Sequence, residues 1–415
     1  MSLIRRAFVA GGGCSSFIGK FHPDFIWKKH PDFGTKENPT YSDYIKMVVD
    51  DLIKTTGVNP EDVDRLYLGN FVGELFVNQG HMGAALAGAH PAFDGKPAAR
   101  LEAACASGGL AMLAGLDAIA AGADIVLVAG VEIQTTASAR AGGDYLARAS
   151  DYVRQRSIDD FTFPALFARR VKACYEAYGL SEEDLSHTAV KAYANGNKNP
   201  LAHMKAVKMD FEGAMTSPKF LSNEDLQPYM RMSDCSQVSD GATALLLVSE
   251  KGLAKIGMSQ SDAVEVVGRG HAVGSLFKDS DPTVLTNSSK AVQQAYHSAG
   301  VGVEDISVAE VHDCFTVTEL LMMEAMGLCK KGEAGATLRS GATGIDGTLP
   351  INTGGGLVAF GHPVGATGVK QALEIFRQMK GQCGEYQIQN QPKYGLTINM
   401  GGDDRTAVSL VLKNG

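Results

Sequence analysis

The sequence predicts a layered α/β fold in which a similar unit occurs twice. Short aliphatic or β-branched runs such as "ADIVLVAG" and "TALLLVSE" alternate with helical stretches, and the alternation starts again with "AVEVVGRG", "ISVAEVHD" and "GLTINM". Strands that alternate with helices are typical of buried sheets covered by helices. At 415 residues, of which 45% are hydrophobic, the chain is long enough for two such units.

Two long segments indicate the duplication. The first segment has an apolar run, a reactive residue, small residues, a long helix and a strand in this order: "LEAACASGGLAMLAGLDAIAAGADIVLVAG". "GGGLVAFGHPVGATGVKQALEIFRQM" followed by "YGLTINMGG" repeats that order, with His362 at the place that Cys105 holds in the first copy. We therefore expect a first half of residues 1–133, completed by 236–250, and a second half of residues 251–415, which face each other across one site.

Residues 134–235 interrupt this pattern and predict an inserted loop domain. Charged, aromatic and turn residues become more frequent, and Arg140 to Arg231 holds 13 basic and 12 acidic residues in a chain of net charge −8. Insertions of this length often carry binding residues, and relative basicity suits an anionic ligand. A solvated lid of mixed charge is an equally open alternative.

Composition excludes several classes of protein. No apolar run reaches the roughly 18 residues of a membrane span, and no block of Lys or Arg indicates nucleic acid. The N-terminal apolar stretch breaks at Gly11, which makes a poor signal peptide, and the last residues are not a peroxisomal address. The seven cysteines form no C-x-x-C pair, so we expect reduced thiols in a cytoplasmic protein rather than a zinc site.

Cys105 is the first candidate for chemistry. It follows an apolar approach and precedes a helix that we expect to run to about Ala121. A thiol at a helix N-terminus lies near the positive end of the helix dipole, which favours the nucleophilic thiolate. Gly108 and Gly109 would let a ligand or another backbone come close. A packed core cysteine is the alternative, and the two interpretations are about equally probable.

Glycine-rich segments mark two further places. Six glycines surround His362, and Pro363 fixes its backbone. The imidazole could take a proton from a thiol or donate to a carbonyl oxygen, although an incidental histidine in a glycine-rich loop is the alternative. Near the C-terminus, Gly401 and Gly402 follow a strand, and backbone amides in such a bend commonly bind anions.

The segment "EVHDCFTVTEL" places an imidazole, a carboxylate and a thiol in consecutive positions, His312, Asp313 and Cys314. A metal site would need further ligands, and nothing nearby in the sequence supplies them. We therefore expect no metal here, and the residues alone leave open whether the segment carries chemistry or is an accident of composition.

Taken together, "ACASGG", "EVHDCFTVTELL", "NTGGGLVAFGHPVGATG" and the terminal glycine bend resemble the thiolases in order and spacing, over nearly the whole chain. Within that superfamily, "HDCF" is similar to the sterol-carrier-protein type, where other thiolases have Asn-Glu-Ala-Phe. The resemblance implies a duplicated αβαβα fold and acyl transfer to and from coenzyme A. The reaction would be thiolytic cleavage of a 3-ketoacyl-CoA or the reverse Claisen condensation, with coenzyme A as substrate and no permanently bound cofactor.

The resemblance also implies roles for individual residues. Cys105 matches the nucleophile that becomes acylated, and His362 matches the imidazole that activates it and points at the thioester oxygen. Cys314 matches the acid/base cysteine, and His312 helps to form an oxyanion hole. The backbone amides of Cys105 and Gly401 match a second oxyanion hole.

One position departs from most thiolases. Asn399 stands where they have their second catalytic cysteine, and the HDCF type supplies that thiol from its own motif. We therefore expect replacement of Asn399 to be mild.

The resemblance further implies a homodimer or homotetramer, in which "NQGHMGAALAG" reaches toward the partner, and an OB-fold partner protein that helps to bind acyl-CoA. Two alternatives stay open at this point. A ketoacyl-synthase-like condensing enzyme would lack the second catalytic cysteine. A thiolase-like subunit could hold acyl-CoA without catalysis, although every motif residue is present here.

Overall fold

A computed structural model of the protein describes residues 5–415, so the first four residues of the predicted first half lie outside the described residues. The strands are β1 (Phe8–Cys14), β2 (Arg65–Gly69), β3 (Ala98–Leu101), β4 (Ile125–Glu132), β5 (Gly241–Val248), β6 (Val264–Val273), β7 (Val308–Val311), β8 (Tyr394–Gly401) and β9 (Thr406–Asn414). The α-helices are α1 (Tyr41–Thr56), α2 (Gly73–Phe76), α3 (Met82–Ala87), α4 (Ser107–Ala120), α5 (Ala139–Leu146), α6 (Tyr152–Gln155), α7 (Thr162–Tyr178), α8 (Glu182–Gly196), α9 (Phe211–Met215), α10 (Glu250–Lys255), α11 (Thr286–Ala299), α12 (Thr316–Ala325), α13 (Ala334–Arg339) and α14 (Thr367–Met379).

The strand order shows the duplication directly. The order across the sheet is β3-β2-β4-β5-β1-β6-β9-β8-β7, and a short antiparallel contact between β1 and β6 joins the two halves. In the first half β2 pairs in parallel with β3 and β4. In the second half β7 pairs in parallel with β8, and a single bridge between Ala309 and Ile351 takes the place of β3. The predicted duplicated layered fold is confirmed.

Helices cover both faces of each half. Helices α4 and α14 pack against each other between the two halves of the sheet, while α1 lies outside β1 and β5 and α11 lies outside β6 and β9. Every residue of β4 and β5 is buried, as expected for central strands with helices on both faces. The result is the αβαβα layering expected from the resemblance.

Glycines allow α4 and α14 to cross at their N-terminal ends. A Cβ atom on Gly108 would lie 2.8 Å from the carbonyl oxygen of Gly365, and one on Gly368 would overlap the amide nitrogen of Gly109. These glycines therefore serve contact between two helices, one of the two uses that the sequence left open. Since Cys105 and His362 lie in the loops that lead into these helices, the crossing brings them together.

Residues 134–235 carry α5 to α9 and contribute none of the strands of the described sheet. Strand β5, which follows them, lies between β4 and β1 of the first half, and this order supports the predicted domain bounds, which stay a prediction. Within the insertion, Arg140 pairs with Asp160 and Arg148 with Asp144. Much of its positive charge is therefore matched by neighbouring carboxylates.

Of the helices in residues 5–415, none is both long enough and apolar enough to cross a membrane.

Candidate active site

Cys105 stands on a strained turn that leads from β3 into α4. Ala104, just before it, has a φ of +52°, in the left-handed region that costs a residue with a Cβ roughly 1–3 kcal/mol. The hydroxyl of Ser107 donates to the carbonyl oxygen of Ala104 at 2.6 Å and accepts from the amide of Ala103 at 3.0 Å. These bonds hold the turn so that Cys105 lines a cavity.

Of the predicted catalytic side chains, Cys105, His362 and Cys314 line this cavity, and His312 lies close to the first two. The Sγ of Cys105 and a ring nitrogen of each of His312 and His362 all lie within 4.8 Å of one another. The two imidazole rings stand nearly perpendicular, with centroids 5.0 Å apart. Cys314 lines the same cavity. The structure thus brings all four side chains together.

Burial changes the expected state of the nucleophile. It raises the pKa of the Cys105 thiol to about 12, although a hydrogen bond from the amide of Gly402 acts in the opposite direction. The sequence argument expected a thiolate from the helix dipole. That dipole contributes about 0.3–2 kcal/mol, which the loss of solvation of a buried thiolate outweighs. Cys105 therefore rests as a thiol and must lose its proton during attack.

The hydrogen bonds of His362 place its lone pair toward the cavity. Its Nδ1 lies 2.7 Å from Oγ1 of Thr367, and that hydroxyl donates its proton to the carbonyl oxygen of Pro363. Thr367 therefore accepts from Nδ1–H, which assigns Nε2 as the unprotonated nitrogen. Nε2 is buried without a hydrogen-bond partner, and burial lowers the pKa of His362 to about 3. In the free protein His362 is a base rather than the hydrogen-bond donor that the sequence also suggested.

His312 has the opposite tautomer. The side chain of Asn399 accepts from the amide of Gly109 at 3.0 Å, which fixes its oxygen, and its Nδ2 then donates to Nδ1 of His312 at 3.2 Å. The proton of the neutral ring therefore sits on Nε2. Burial and the neighbouring His362 hold the pKa of His312 well below its usual range. His312 thus presents an N–H donor where His362 presents a lone pair.

Backbone hydrogen bonds and the surrounding packing both fix the position of Cys314. Its carbonyl oxygen accepts from the amide of Ser236 at 3.0 Å, and the next residue, Phe315, forms a bridge with Cys235. Its Sγ lies 3.9 Å from Oγ1 of Thr318. Burial raises the pKa of the Cys314 thiol well above its ordinary value, so it can carry a proton at neutral pH.

Asp313 lies behind the site and orders a loop. It is fully buried, and its Oδ1 accepts from the amide of Leu357 at 2.6 Å. Leu357 belongs to the glycine-rich segment that leads to His362, so Asp313 links the two motifs.

Comparisons with protein-family models identify the family of this chain. The model described as Thiolase, N-terminal domain matches residues 31–251, and the model described as Thiolase C-terminal domain-like matches residues 268–414. The chain belongs to the thiolase family. It is 35% identical over 359 residues to an acetyl-CoA acetyltransferase of Methanothermobacter thermautotrophicus, an alignment that covers 86% of this chain and 90% of that protein.

Two more distant likenesses are informative. Sterol carrier protein 2 of Rattus norvegicus is 31% identical over 252 residues, which cover 60% of this chain and 44% of that protein. The solved structure of an Ltp2-ChsH2(DUF35) aldolase has a TM-score of 0.77 at 22% identity and covers 99% of this chain and 98% of that one, a likeness of fold alone. The predicted thiolase family and acyltransferase class are confirmed, and the two alternative functions are not favoured.

The terminal bend of this thiolase lies against the nucleophile candidate. The amide of Gly402 helps to lower the pKa of the Cys105 thiol, and the assignment of the Gly401 amide to an oxyanion hole stays a prediction. The bend is held by Asp403, which pairs with the buried Arg170, and by Asp404, which accepts from the amide of Ser288 at 2.9 Å. Residues far apart in sequence supply these contacts, so no local motif predicts them.

Glu132 is a further residue that sequence reasoning missed in this thiolase. It is buried at the end of β4, and its carboxylate accepts from the amides of Phe71, Val72 and Gly365 at 2.9–3.2 Å. The Glu132 side chain therefore fixes backbone segments beside the cavity in both halves of the protein. The feature of the sequence that could have indicated this residue is an acidic side chain at the end of a buried strand, "LVAGVE".

The cluster of Cys105, His312 and His362 also has the ligand types of a zinc site. The sequence argument against a metal considered only nearby residues, and two of the three donors come from distant segments. The prediction that the protein needs no metal stays a prediction.

Proposed function

We propose that this thiolase cleaves 3-ketoacyl-CoA with coenzyme A, or runs the reverse condensation, through an acyl-enzyme on Cys105. The observation that carries the proposal is the pair of opposite tautomers beside one thiol: His362 offers a lone pair and His312 an N–H donor. Such a pair can remove a proton and stabilise negative charge at the same time.

In the first half-reaction, Nε2 of His362 takes the thiol proton while Sγ of Cys105 attacks the 3-keto carbon. The backbone amides of Cys105 and of the bend at 401–402 face the oxygen that becomes negative. The bond between carbons 2 and 3 then breaks. Cys314 protonates carbon 2, and Nε2–H of His312 holds the thioester oxygen while it is enolate-like.

In the second half-reaction, coenzyme A enters and its sulfur attacks the acyl group on Cys105. The proton of the coenzyme A thiol goes to the Cys314 thiolate, and His362 returns its proton to the sulfur of Cys105. Both thiols and both imidazoles are then in their starting states. Cysteine suits the acyl carrier because the thioester that it forms resembles in energy the one that is consumed.

The test is to locate the acyl group. Brief incubation with acetyl-CoA or acetoacetyl-CoA, followed by mass spectrometry of the digested protein, is expected to place an acyl mass on the peptide that contains Cys105. Coenzyme A added before the digestion is expected to remove it. An acyl mass on Cys235 or Cys314 alone would overturn the assignment.

The proposal includes the binding of coenzyme A by residues 134–235, as a substrate rather than a permanent cofactor, and a cytoplasmic location. The insertion borders the cavity through α5 and the start of α7, which supports a path for the substrate there. All seven cysteines are unpaired, which fits a reducing compartment. Mutants of the exposed Arg140 and Arg154 are expected to raise the KM for coenzyme A if these side chains meet its phosphates.

We also propose a homodimer or homotetramer. Strand β3 is the first strand of the sheet and pairs on one side only, and α3, from the segment "NQGHMGAALAG", packs on it. A strand with a free edge is a ready surface for a second copy. Light scattering at micromolar concentration tests this, and a monomer would contradict it. The OB-fold partner remains part of the proposal, supported by the DUF35 component in the name of a neighbouring structure, and pull-down from native cells tests it.

A further inference from the structure

An apolar cavity of about 160 Å³ lies beside the two thiols. The side chains that form its apolar wall are Phe71, Leu146, Phe161, Phe163, Phe315 and Val364. The cavity therefore has the reactive sulfurs at one side and mainly aromatic carbon at the other.

The wall is rigid. Phe315 stacks on Phe167 with ring centroids 4.4 Å apart, and Phe161 meets Phe220 edge to face at 5.4 Å. Val364 is almost completely buried. Side chains packed in this way cannot collapse into the space, so the cavity is preformed for a ligand rather than a gap that closes on its own.

Two polar side chains at the cavity wall are engaged with the backbone, while Nε2 of His362 has no partner. The side chain of Gln134 accepts from the amide of Val364 at 3.1 Å, and that of Gln237 donates to the carbonyl oxygen of Cys235 at 3.3 Å. The amides of a pantetheine arm would lose their hydrogen bonds to water against this wall, which is costly. The cavity therefore suits the apolar part of the substrate, the acyl group itself.

Its size indicates which acyl group. An apolar cavity of about 150 Å³ in another protein binds benzene. An acetyl group has two carbons and would leave most of the present cavity empty. Each methylene moved from water into such a space improves binding roughly fourfold.

We propose that the acyl group carried on Cys105 is bulky and apolar, with about six carbons or one aromatic ring, rather than acetyl. This inference rests on the proposed function, because it takes Cys105 as the acylated residue. The preferred substrates would be 3-ketoacyl-CoA esters such as 3-ketooctanoyl-CoA, which leaves hexanoyl on the enzyme, or benzoylacetyl-CoA, which leaves benzoyl.

Gly143 of α5 sets the space available. It lines the cavity, and a Cβ atom there would make only ordinary contacts, 3.4 Å from the carbonyl oxygen of Asp160 and from the ring of Phe161. Its neighbour Gly142 faces the ring of Phe76 instead. A larger residue at position 143 would therefore fill the cavity, whereas alanine at position 142 changes the same helix elsewhere.

The experiment compares kcat/KM for thiolysis of acetoacetyl-CoA, 3-ketooctanoyl-CoA and benzoylacetyl-CoA. We expect the unaltered protein to prefer the two larger substrates by at least tenfold. Gly143→Val is expected to abolish that preference, because kcat/KM for the two larger substrates falls by more than kcat/KM for acetoacetyl-CoA. Gly143→Ala is expected to show a smaller change in the same direction, and Gly142→Ala to leave the preference unchanged. Gly143→Ala carries the test if the valine variant does not fold.

Two results would overturn the proposal. A preference of the unaltered protein for acetoacetyl-CoA would show that the cavity does not select the acyl group. An equal loss for all three substrates in Gly143→Val would assign the cavity to the pantetheine arm. If instead no substrate acylates Cys105, the proposed function itself fails, and mass spectrometry distinguishes that outcome.

Discussion

Asn399 donates a hydrogen bond from Nδ2 to Nδ1 of His312 at 3.2 Å, and the same Nδ2 lies 3.0 Å from the carbonyl oxygen of Cys105. One carboxamide therefore fixes the tautomer of the oxyanion-hole histidine and ties it to the turn of the nucleophile. This contact argues against the expectation that Asn399, at the position where most thiolases have a catalytic cysteine, can be replaced at little cost.

We expect Asn399→Ala to lower kcat by about 10- to 100-fold. The change leaves the amide of Gly109 and the carbonyl oxygen of Cys105 unpaired, at about 1–3 kcal/mol, and frees His312 to change tautomer. Steady-state thiolysis measures the effect. Asn197→Ala is the control, because that side chain bonds only to backbone carbonyls of its own loop. A rate for Asn399→Ala within twofold of the unaltered protein would refute the tautomer argument.

The raised pKa of Cys105 predicts the pH dependence of its alkylation. Because the pKa is about 12, the thiolate fraction grows with pH throughout the neutral range. Inactivation of the free protein by iodoacetamide is expected to accelerate about tenfold per pH unit from pH 7 to 9, without a plateau. Bound acyl-CoA should protect. A plateau near pH 7 would mean that the free protein already holds a thiolate.

Cys314→Ala is expected to separate the two half-reactions. Acylation of Cys105 by acetyl-CoA needs only His362 and the backbone amides, so acyl-enzyme should still form. Proton transfer at carbon should slow by roughly 10²–10⁴, the usual size of a general acid/base contribution, so condensation nearly stops. Cys235→Ala is the matched control, because Cys235 lines the same cavity and has no part in the proposed chemistry. Near-normal condensation by Cys314→Ala would reduce Cys314 to a core residue.

The Thr367→Val variant tests whether His362 acts as the base. The valine has the same shape but cannot accept from Nδ1–H of His362, so the imidazole loses the partner that keeps its lone pair on Nε2. We expect kcat to fall about tenfold with little change in KM, because substrate binding is untouched. Thr343→Val is the control, since that hydroxyl is buried without a partner. Equal effects of the two variants would mean that only packing was disturbed.

The donor set of Cys105, His312 and His362 predicts inhibition by zinc. A Zn²⁺ ion that drew the sulfur and the two ring nitrogens together would occupy the nucleophile and the base at once. Micromolar zinc is expected to inhibit in competition with the 3-ketoacyl-CoA, and a chelator to restore activity fully. A chelator that lowered the activity of the untreated protein would instead indicate a required metal.

The fold, and the four side chains proposed to be catalytic, could be selected from the sequence because they lie in local patterns. Alternation of strands and helices specifies the layers, and Cys105, His312, Cys314 and His362 each lie in a short motif. The state of those residues could not be predicted in the same way. The pKa of Cys105 depends on burial, and the tautomer of His312 depends on Asn399, 87 positions later in the chain. Such contacts exist only after the two halves have docked.

The cavity was also beyond the sequence. Its wall combines Phe71 of the first half, Phe161 of the insertion and Phe315 of the second half. Each of these residues would have been read as ordinary core from its own neighbourhood. The volume left between them follows from backbone positions, which no periodicity encodes.

The close contact of α4 and α14 at their glycines also makes catalytic activity depend on the docking of the two halves of the protein. Since no side chain separates Gly108 from Gly365, we expect any loosening of the two halves to move Cys105 away from His362. A chain that has folded only its first half would hold Cys105 without an imidazole from the second half beside it. We therefore expect heating to abolish activity before it melts the sheet.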